Sequence, residues 1–251
     1  MYPYFRLGPF LIQLPLLALL VGLWIGMSLV ERVSYRLKLY PSAIGNMIFY
    51  SLLGGLIGAR LGYALQFPTL YLSKPLSLLA LTPTTLSPSM GLAAGLITFV
   101  IFIERKRLPL RPTLDAIAPG LALFMTFVGV AHILSGDAFG APTNVPWAIR
   151  LWNEYRHPSQ LYETFLAMII FLVIRERFPK PEGGGMNFLL TLALVSAARI
   201  FLEAFRGDSA FWPGGYRQAQ VIGLFILTFS FYLMRKWMTS GQTNLEEITG
   251  D

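Results

Sequence analysis

Cysteine is absent from this 251-residue chain, which excludes disulfides, thiolate chemistry by its own side chains and cysteine-held metals. Charge is scarce too. Only 13% of the residues are Asp, Glu, Lys or Arg, against about 25% in a soluble domain, too few to cover a wet surface. Histidine occurs twice, as His132 and His157, at a spacing that matches no helix-borne zinc motif, so neither a metal nor another cofactor is expected. What is plentiful is apolar: 55% of the chain is hydrophobic and the mean hydropathy is +0.58. The net charge of +7 is not gathered into the patch or stripe that nucleic acid requires. It falls in short clusters between apolar runs, the arrangement of a protein whose partner is a lipid bilayer.

The fold class this predicts is all-α: a polytopic membrane protein of seven transmembrane helices. A span needs about 20 mostly apolar residues, and runs of that kind cover 10–30, 44–65, 90–103, 114–134, 160–174, 186–202 and 221–234. The third and fifth are short and need flanking residues to cross. Arg6 followed by an apolar run imitates a signal peptide, but no small-x-small cleavage site follows it, so the run reads as a retained first helix. Pro15 is expected to kink that helix. Residues 1–238 form one domain on this reading, and 239–251 a polar cytoplasmic tail.

Lysine and arginine stay on the cytoplasmic side of a membrane. The first, third and fifth connections and the C-terminal end hold Arg32, Arg36, Lys38, Arg105, Lys106, Arg107, Arg111, Arg175, Arg177, Lys180, Arg235 and Lys236. The other side has half as many: Arg6, Lys74, Arg150, Arg156, Arg206 and Arg217. The bias agrees at every connection, so the N-terminus is expected outside and the C-terminus in the cytoplasm. The two long outer connections, 135–159 and 207–220, are rich in Gly, Pro and Trp and are the expected functional loops.

Several polar groups lie where an apolar run has no need of them. Arg60 sits among Gly54, Gly55, Gly58 and Gly62; it either snorkels to the interface or binds phosphate. Arg199 and Glu203 share a helix face at i, i+4, with Arg206 three residues beyond. They form either a self-satisfied ion pair that makes the helix insertable or, because two arginines flank one glutamate, an inward positive charge suited to a phosphate. His132, five residues before Asp137, is a structural histidine, a stand-in for an amide, or a general base. His157 opens the run to Glu163, in which Ser159 or Gln160 caps a helix. That cap leaves Glu163, on one side with Gln160 inside the apolar run, unexplained.

These residues together resemble the prolipoprotein diacylglyceryl transferase family. The similarity covers nearly the whole chain: Gly8-Pro9; Gly58, Arg60, Gly62 and Tyr63; Gly136, Asp137, Gly140, Pro142 and Thr143; Pro146-Trp147; Arg156 through Glu163; Arg199, Glu203 and Arg206; and Gln220. The 157–163 and 199–206 runs are the specific ones. The resemblance implies transfer of a diacylglyceryl group from phosphatidylglycerol to the lipobox cysteine of a prolipoprotein signal peptide, with release of glycerol phosphate, in the bacterial inner membrane. It implies catalytic roles for Arg199, Glu203, His132 and Asp137. Substrate contacts fall to Arg60, Tyr63, Gly140, His157, Gln160, Glu163 and Arg206. The chain also departs from the family pattern. A signature arginine falls at Gly129, its asparagines at His132 and Ser135, a histidine at Met90, and tyrosines at Pro15 and Val195. A relative that serves another acceptor, or a noncatalytic phospholipid-binding protein, therefore stands beside the transferase reading.

Overall fold

The computed structural model describes residues 4–8, 10–73, 75–79, 85–177 and 184–249. Pro9, Lys74, Lys180 and the last two residues, which entered the readings above, lie outside that set. The first apolar run divides in two. Its beginning, β2 (Phe10–Gln13), pairs as a hairpin with the preceding β1 (Tyr4–Leu7), and the helix α1 (Leu14–Arg36) starts only afterwards. Pro15 thereby falls in the first helical turn, where its missing N–H has no intrahelical partner to lose. The expected kink has no cause.

The remaining runs each become a helix: α2 (Pro41–Gln66), then a short α3 (Pro68–Ser73), α4 (Pro88–Lys106), α5 (Leu110–Ser135), α6 (Ser159–Glu176), α7 (Met186–Leu202) and α8 (Gln218–Thr249). Among the described residues six helices are long and apolar enough to cross a membrane: α1, α2, α4, α5, α7 with its extension to Phe205, and α8 as far as Thr239. The seventh, α6, has 18 residues and includes Glu163, Arg175 and Glu176, so its charges outweigh its length by that measure. Large apolar side chains such as Leu65 and Phe225 point outward, while Arg60, Asp115, Gln160 and Glu203 are buried. This polar-inside arrangement suits a lipid solvent.

Helices pack as pairs, α1 on α5, α2 on α4, α5 on α6 and α7 on α8, through small residues that let backbones meet. A Cβ on Gly120 would lie 2.7 Å from the Gly26 carbonyl oxygen of α1, and one on Gly55 would lie 3.1 Å from the Gly91 oxygen of α4. The shared apolar core includes Val30, Ile44, Met47, Ala118, Phe171 and Ile174. At one end Asp115 of α5, 2% exposed, accepts hydrogen bonds from the backbone N–H groups of Gly185 (2.8 Å) and Phe188 (3.1 Å). A carboxylate there satisfies the orphan donors of the α7 N-terminus and complements its dipole.

Candidate functional site

At the opposite end, α5 stops because Gly136 takes a left-handed conformation (φ +90°), its N–H returning to the His132 carbonyl at 2.9 Å. The chain then forms a small layer of extended segments. A hairpin of β3 (Ile149–Leu151) and β4 (Glu154–Arg156) turns through Trp152 and Asn153, both with positive φ. The 139–143 segment joins it on one side, through His157 N–H to Ala141 O (3.0 Å) and Thr143 N–H to Tyr155 O (2.9 Å). On the other side, Ala141 N–H donates to Phe205 O (2.8 Å) and Gly207 N–H to Phe139 O (2.9 Å). Gly140 bridges Arg206 at the centre of this layer. A Cβ on Gly140 would sit 2.8 Å from the His157 Cβ, so the glycine is required by packing alone.

Under the layer lies a cavity of about 770 Å³ walled by α5, α6 and α7, with Pro88 of α4 at its edge. Its polar lining consists of His132, Glu163, Arg199 and Arg206; Met125, Ala167, Ile170, Val195, Ala198 and Leu202 supply the apolar part. His132 Nδ1 is 2.8 Å from Glu163 Oε2, so α5 and α6 are tied by an imidazole–carboxylate contact. Arg199 Nη2 is 3.1 Å from Glu203 Oε2. That oxygen is buried and receives no hydrogen bond, because the guanidinium approaches by distance but not by angle. The Arg199 side chain remains 36% exposed, open to the cavity, whereas Glu203 is 1% exposed.

Arg206 corrects one expectation. The helix ends at Leu202, a single 3-10 turn (Glu203–Phe205) follows, and Arg206 is extended. Its guanidinium therefore leaves the Arg199–Glu203 face and grips Asp208 with two parallel bonds, Nε to Oδ1 at 2.9 Å and Nη2 to Oδ2 at 2.8 Å. Two guanidinium groups thus face two carboxylates of their own, with Glu163 beside them. The inward excess of positive charge read from helical spacing is not there.

The remaining sequence candidates fall around this cavity rather than in its wall. Asp137 is exposed; its backbone carbonyl accepts from Gln160 Nε2 (3.1 Å), and its N–H donates to Ser135 Oγ (3.1 Å). Gln160 is buried by that contact. Neither proposed cap forms at α6: Pro158 holds the N-cap position without a side-chain cap, and Ser159 Oγ donates to the Ala138 carbonyl instead. His157 packs edge-on against Phe205 with centroids 5.2 Å apart, and its Nδ1 is 3.4 Å from the Tyr162 hydroxyl. Arg60 lies across the bundle on α2. It donates to the carbonyls of Leu78 (3.0 Å), Thr85 (2.9 Å) and Ser77 and stacks over Tyr71, so it ties those residues to α2. Tyr63 stacks near Phe67 at 5.0 Å.

Three participants escaped the sequence reading. Asp208 has no helical spacing to Arg206. Arg217, which donates to the Glu203 carbonyl, is fourteen residues from it. Thr164 faces Gly129 so closely that a Cβ on the glycine would lie 2.9 Å from the Thr164 backbone nitrogen.

A bundle of long apolar helices that hides arginines and carboxylates in an inner cavity defines a polytopic membrane protein with an internal polar site. Comparison places it further. The family model for prolipoprotein diacylglyceryl transferase matches residues 3–236, and the chain belongs to that family. It is 31% identical over 215 residues to the phosphatidylglycerol–prolipoprotein diacylglyceryl transferase of Bordetella parapertussis, covering 82% of either chain. The proteins of the same name from Synechococcus elongatus (26% over 242 residues, 89% of this chain and 83% of the other) and Mesorhizobium japonicum (29% over 230 residues, 81% and 79%) are similar as well.

Proposed function

We propose that the chain transfers the diacylglyceryl group of phosphatidylglycerol to the cysteine thiol of a prolipoprotein signal peptide, at the outer face of the bacterial inner membrane. The observation that carries this reading is the cavity that exposes Arg199 beside an apolar wall. A guanidinium presents a planar fork of donors to phosphate oxygens, and 36% of the Arg199 side chain stays exposed beside its Nη2 contact with Glu203. The sulfur attacks the glycerol carbon that bears the phosphate; a C–S bond forms, the C–O bond breaks, and glycerol phosphate leaves. Charge grows on the departing phosphate, so donors preset at that point supply the main stabilisation.

In this scheme Arg199 and Arg206 hold the headgroup and Glu203 keeps Arg199 in place. Asp137, Gly140, His157 and Gln160 build the layer under which the signal peptide enters. Arg60 and Tyr63 act from α2, outside the cavity wall, where Arg60 fixes the backbone at Ser77, Leu78 and Thr85. The topology that goes with it has seven spans, α6 included, with the N-terminus outside and the C-terminus in the cytoplasm; the cavity shelters Glu163 of α6 from lipid.

The test is to incubate the purified protein with phosphatidylglycerol and a lipobox peptide and to weigh the peptide by mass spectrometry. A mass gain of one diacylglyceryl group is expected. Lipid bound without any gain on the peptide would overturn the transferase reading in favour of a phospholipid-binding relative.

A further inference from the structure

A thiol reacts as its thiolate, and a cysteine with the free pKa of about 8.5 is only a few per cent ionised at neutral pH. A transferase that acts on a cysteine peptide therefore needs a group that removes the proton where the thiol meets the lipid. The cavity offers few such groups. Its polar lining is His132 from α5, Glu163 from α6, and Arg199 and Arg206 from α7 and the turn beyond it. The arginines stay charged and accept no proton. The second histidine of the chain, His157, lies outside the cavity wall, against Phe205 and Tyr162.

His132 is held in the manner such a base requires. A carboxylate only accepts, so the Nδ1 that approaches Glu163 at 2.8 Å carries the hydrogen. The neutral ring then keeps its lone pair on Nε2, which makes no hydrogen bond among the described residues. The side chain is 28% exposed and lines the cavity that Arg199 also lines. The surrounding charges are arranged for a proton to arrive. The carboxylate of Glu163, 2.8 Å from the ring, balances the positive charge that His132 gains with the proton.

We infer that His132 is the general base of this enzyme and that Glu163 is its positioning residue, an inference that rests on the transferase reading. The thiol passes its proton to His132 Nε2 as the sulfur pair attacks the glycerol carbon. When the C–O bond breaks, its electron pair leaves on the phosphate oxygen, and that oxygen takes the proton back from Nε2. The histidine ends neutral, the products being a thioether and glycerol phosphate.

The experiment compares the wild type with H132N and E163Q, using two peptides that differ only in cysteine or selenocysteine at the acceptor position. A selenol is already ionised at neutral pH and needs no base. With the cysteine peptide, H132N is expected to lose about a hundred- to ten-thousand-fold in turnover at neutral pH and E163Q at least tenfold. The wild-type rate levels off with rising pH, while that of H132N keeps climbing as the thiol ionises by itself. With the selenocysteine peptide, both variants are expected to recover to within a few-fold of the wild type, a rescue that a merely structural role would not show. Equal turnover of the cysteine peptide by H132N and the wild type, or equal loss of both peptides in H132N, would overturn the dyad and leave the transferase reading standing. No transfer to either peptide by the wild type would overturn both.

Discussion

At the scale of single residues, the site depends on how one guanidinium is shared. Arg199 offers Nη2 to a glutamate that is 1% exposed while over a third of its side chain faces the cavity. In the proposed scheme, removing it strips the lipid phosphate of its donors, and it leaves Glu203 as a buried, uncompensated charge. Arg199→Ala is therefore expected to reduce turnover at least a hundredfold in the phosphatidylglycerol assay, with the protein still recovered from the membrane fraction. Arg199→Lys is expected to restore less than a tenth of the activity, since a point charge does not replace the fork. Unchanged turnover in Arg199→Ala would remove this residue from the site. The residue scale is also where the sequence misleads most. Arg199 and Glu203 are legible at i, i+4 because both lie on one helical turn. Arg206 is not, because the helix has ended by then and its partner is Asp208. Ser159 is drawn to the Ala138 carbonyl, a contact made only once the 136–143 loop has folded back.

At the scale of elements, boundaries and close approaches decide the arrangement. Most of the apolar runs were readable as helices by their length alone, the third and fifth only with flanking residues, and 186–202 coincides with α7 to the residue. The first run was not wholly readable: its initial residues pair as a hairpin, and hydropathy does not distinguish a strand from a helix in so short an apolar stretch. Nor is the closeness of α5 to α6 visible in the letters. Gly129 looks like a lost arginine, yet Thr164 fills the space a side chain would need.

Two stability predictions belong here. Gly120→Ala pushes a methyl against the Gly26 carbonyl and is expected to cost about 1–3 kcal/mol, seen as a lower midpoint of unfolding in detergent. Gly45→Ala on α2 meets only the Met27 Cε at 3.7 Å, so it is expected to be neutral or to stabilise by up to about 1 kcal/mol. A similar midpoint for the two variants would refute the close α1–α5 contact. Asp115→Ala removes the cap on α7 and is expected to cost about 1–2 kcal/mol, while Asp115→Asn, which keeps an acceptor, should lose less.

At the scale of the whole molecule, the absence of cysteine becomes an experimental convenience. Single cysteines placed at exposed positions report their side of the membrane without background. In the proposed topology, Asn144→Cys and Tyr216→Cys are labelled in intact cells by a membrane-impermeant maleimide, whereas Lys106→Cys and Glu176→Cys react only after lysis. Labelling of all four in intact cells, or the reverse pattern, would refute the orientation. Glu176→Cys bears directly on α6, the helix whose charges keep it below the hydropathy of the other six. Those charges are explained by the fold: Glu163 turns inward to His132, and Arg175 and Glu176 close the helix at its other end.

The carboxylate of Asp115 also sets a depth. It pins the start of α7, and Arg199 stands thirteen residues beyond Met186, about 20 Å up the helix at about 1.5 Å per residue. The hydrocarbon slab is about 30 Å thick. In the proposed topology, with the slab beginning at the start of α7, a phospholipid that seats its phosphate on that guanidinium sinks below the neighbours in its own leaflet. Cleavage undoes the descent: the severed headgroup, rid of its two chains, rises to the aqueous side, and the tails stay behind on the peptide.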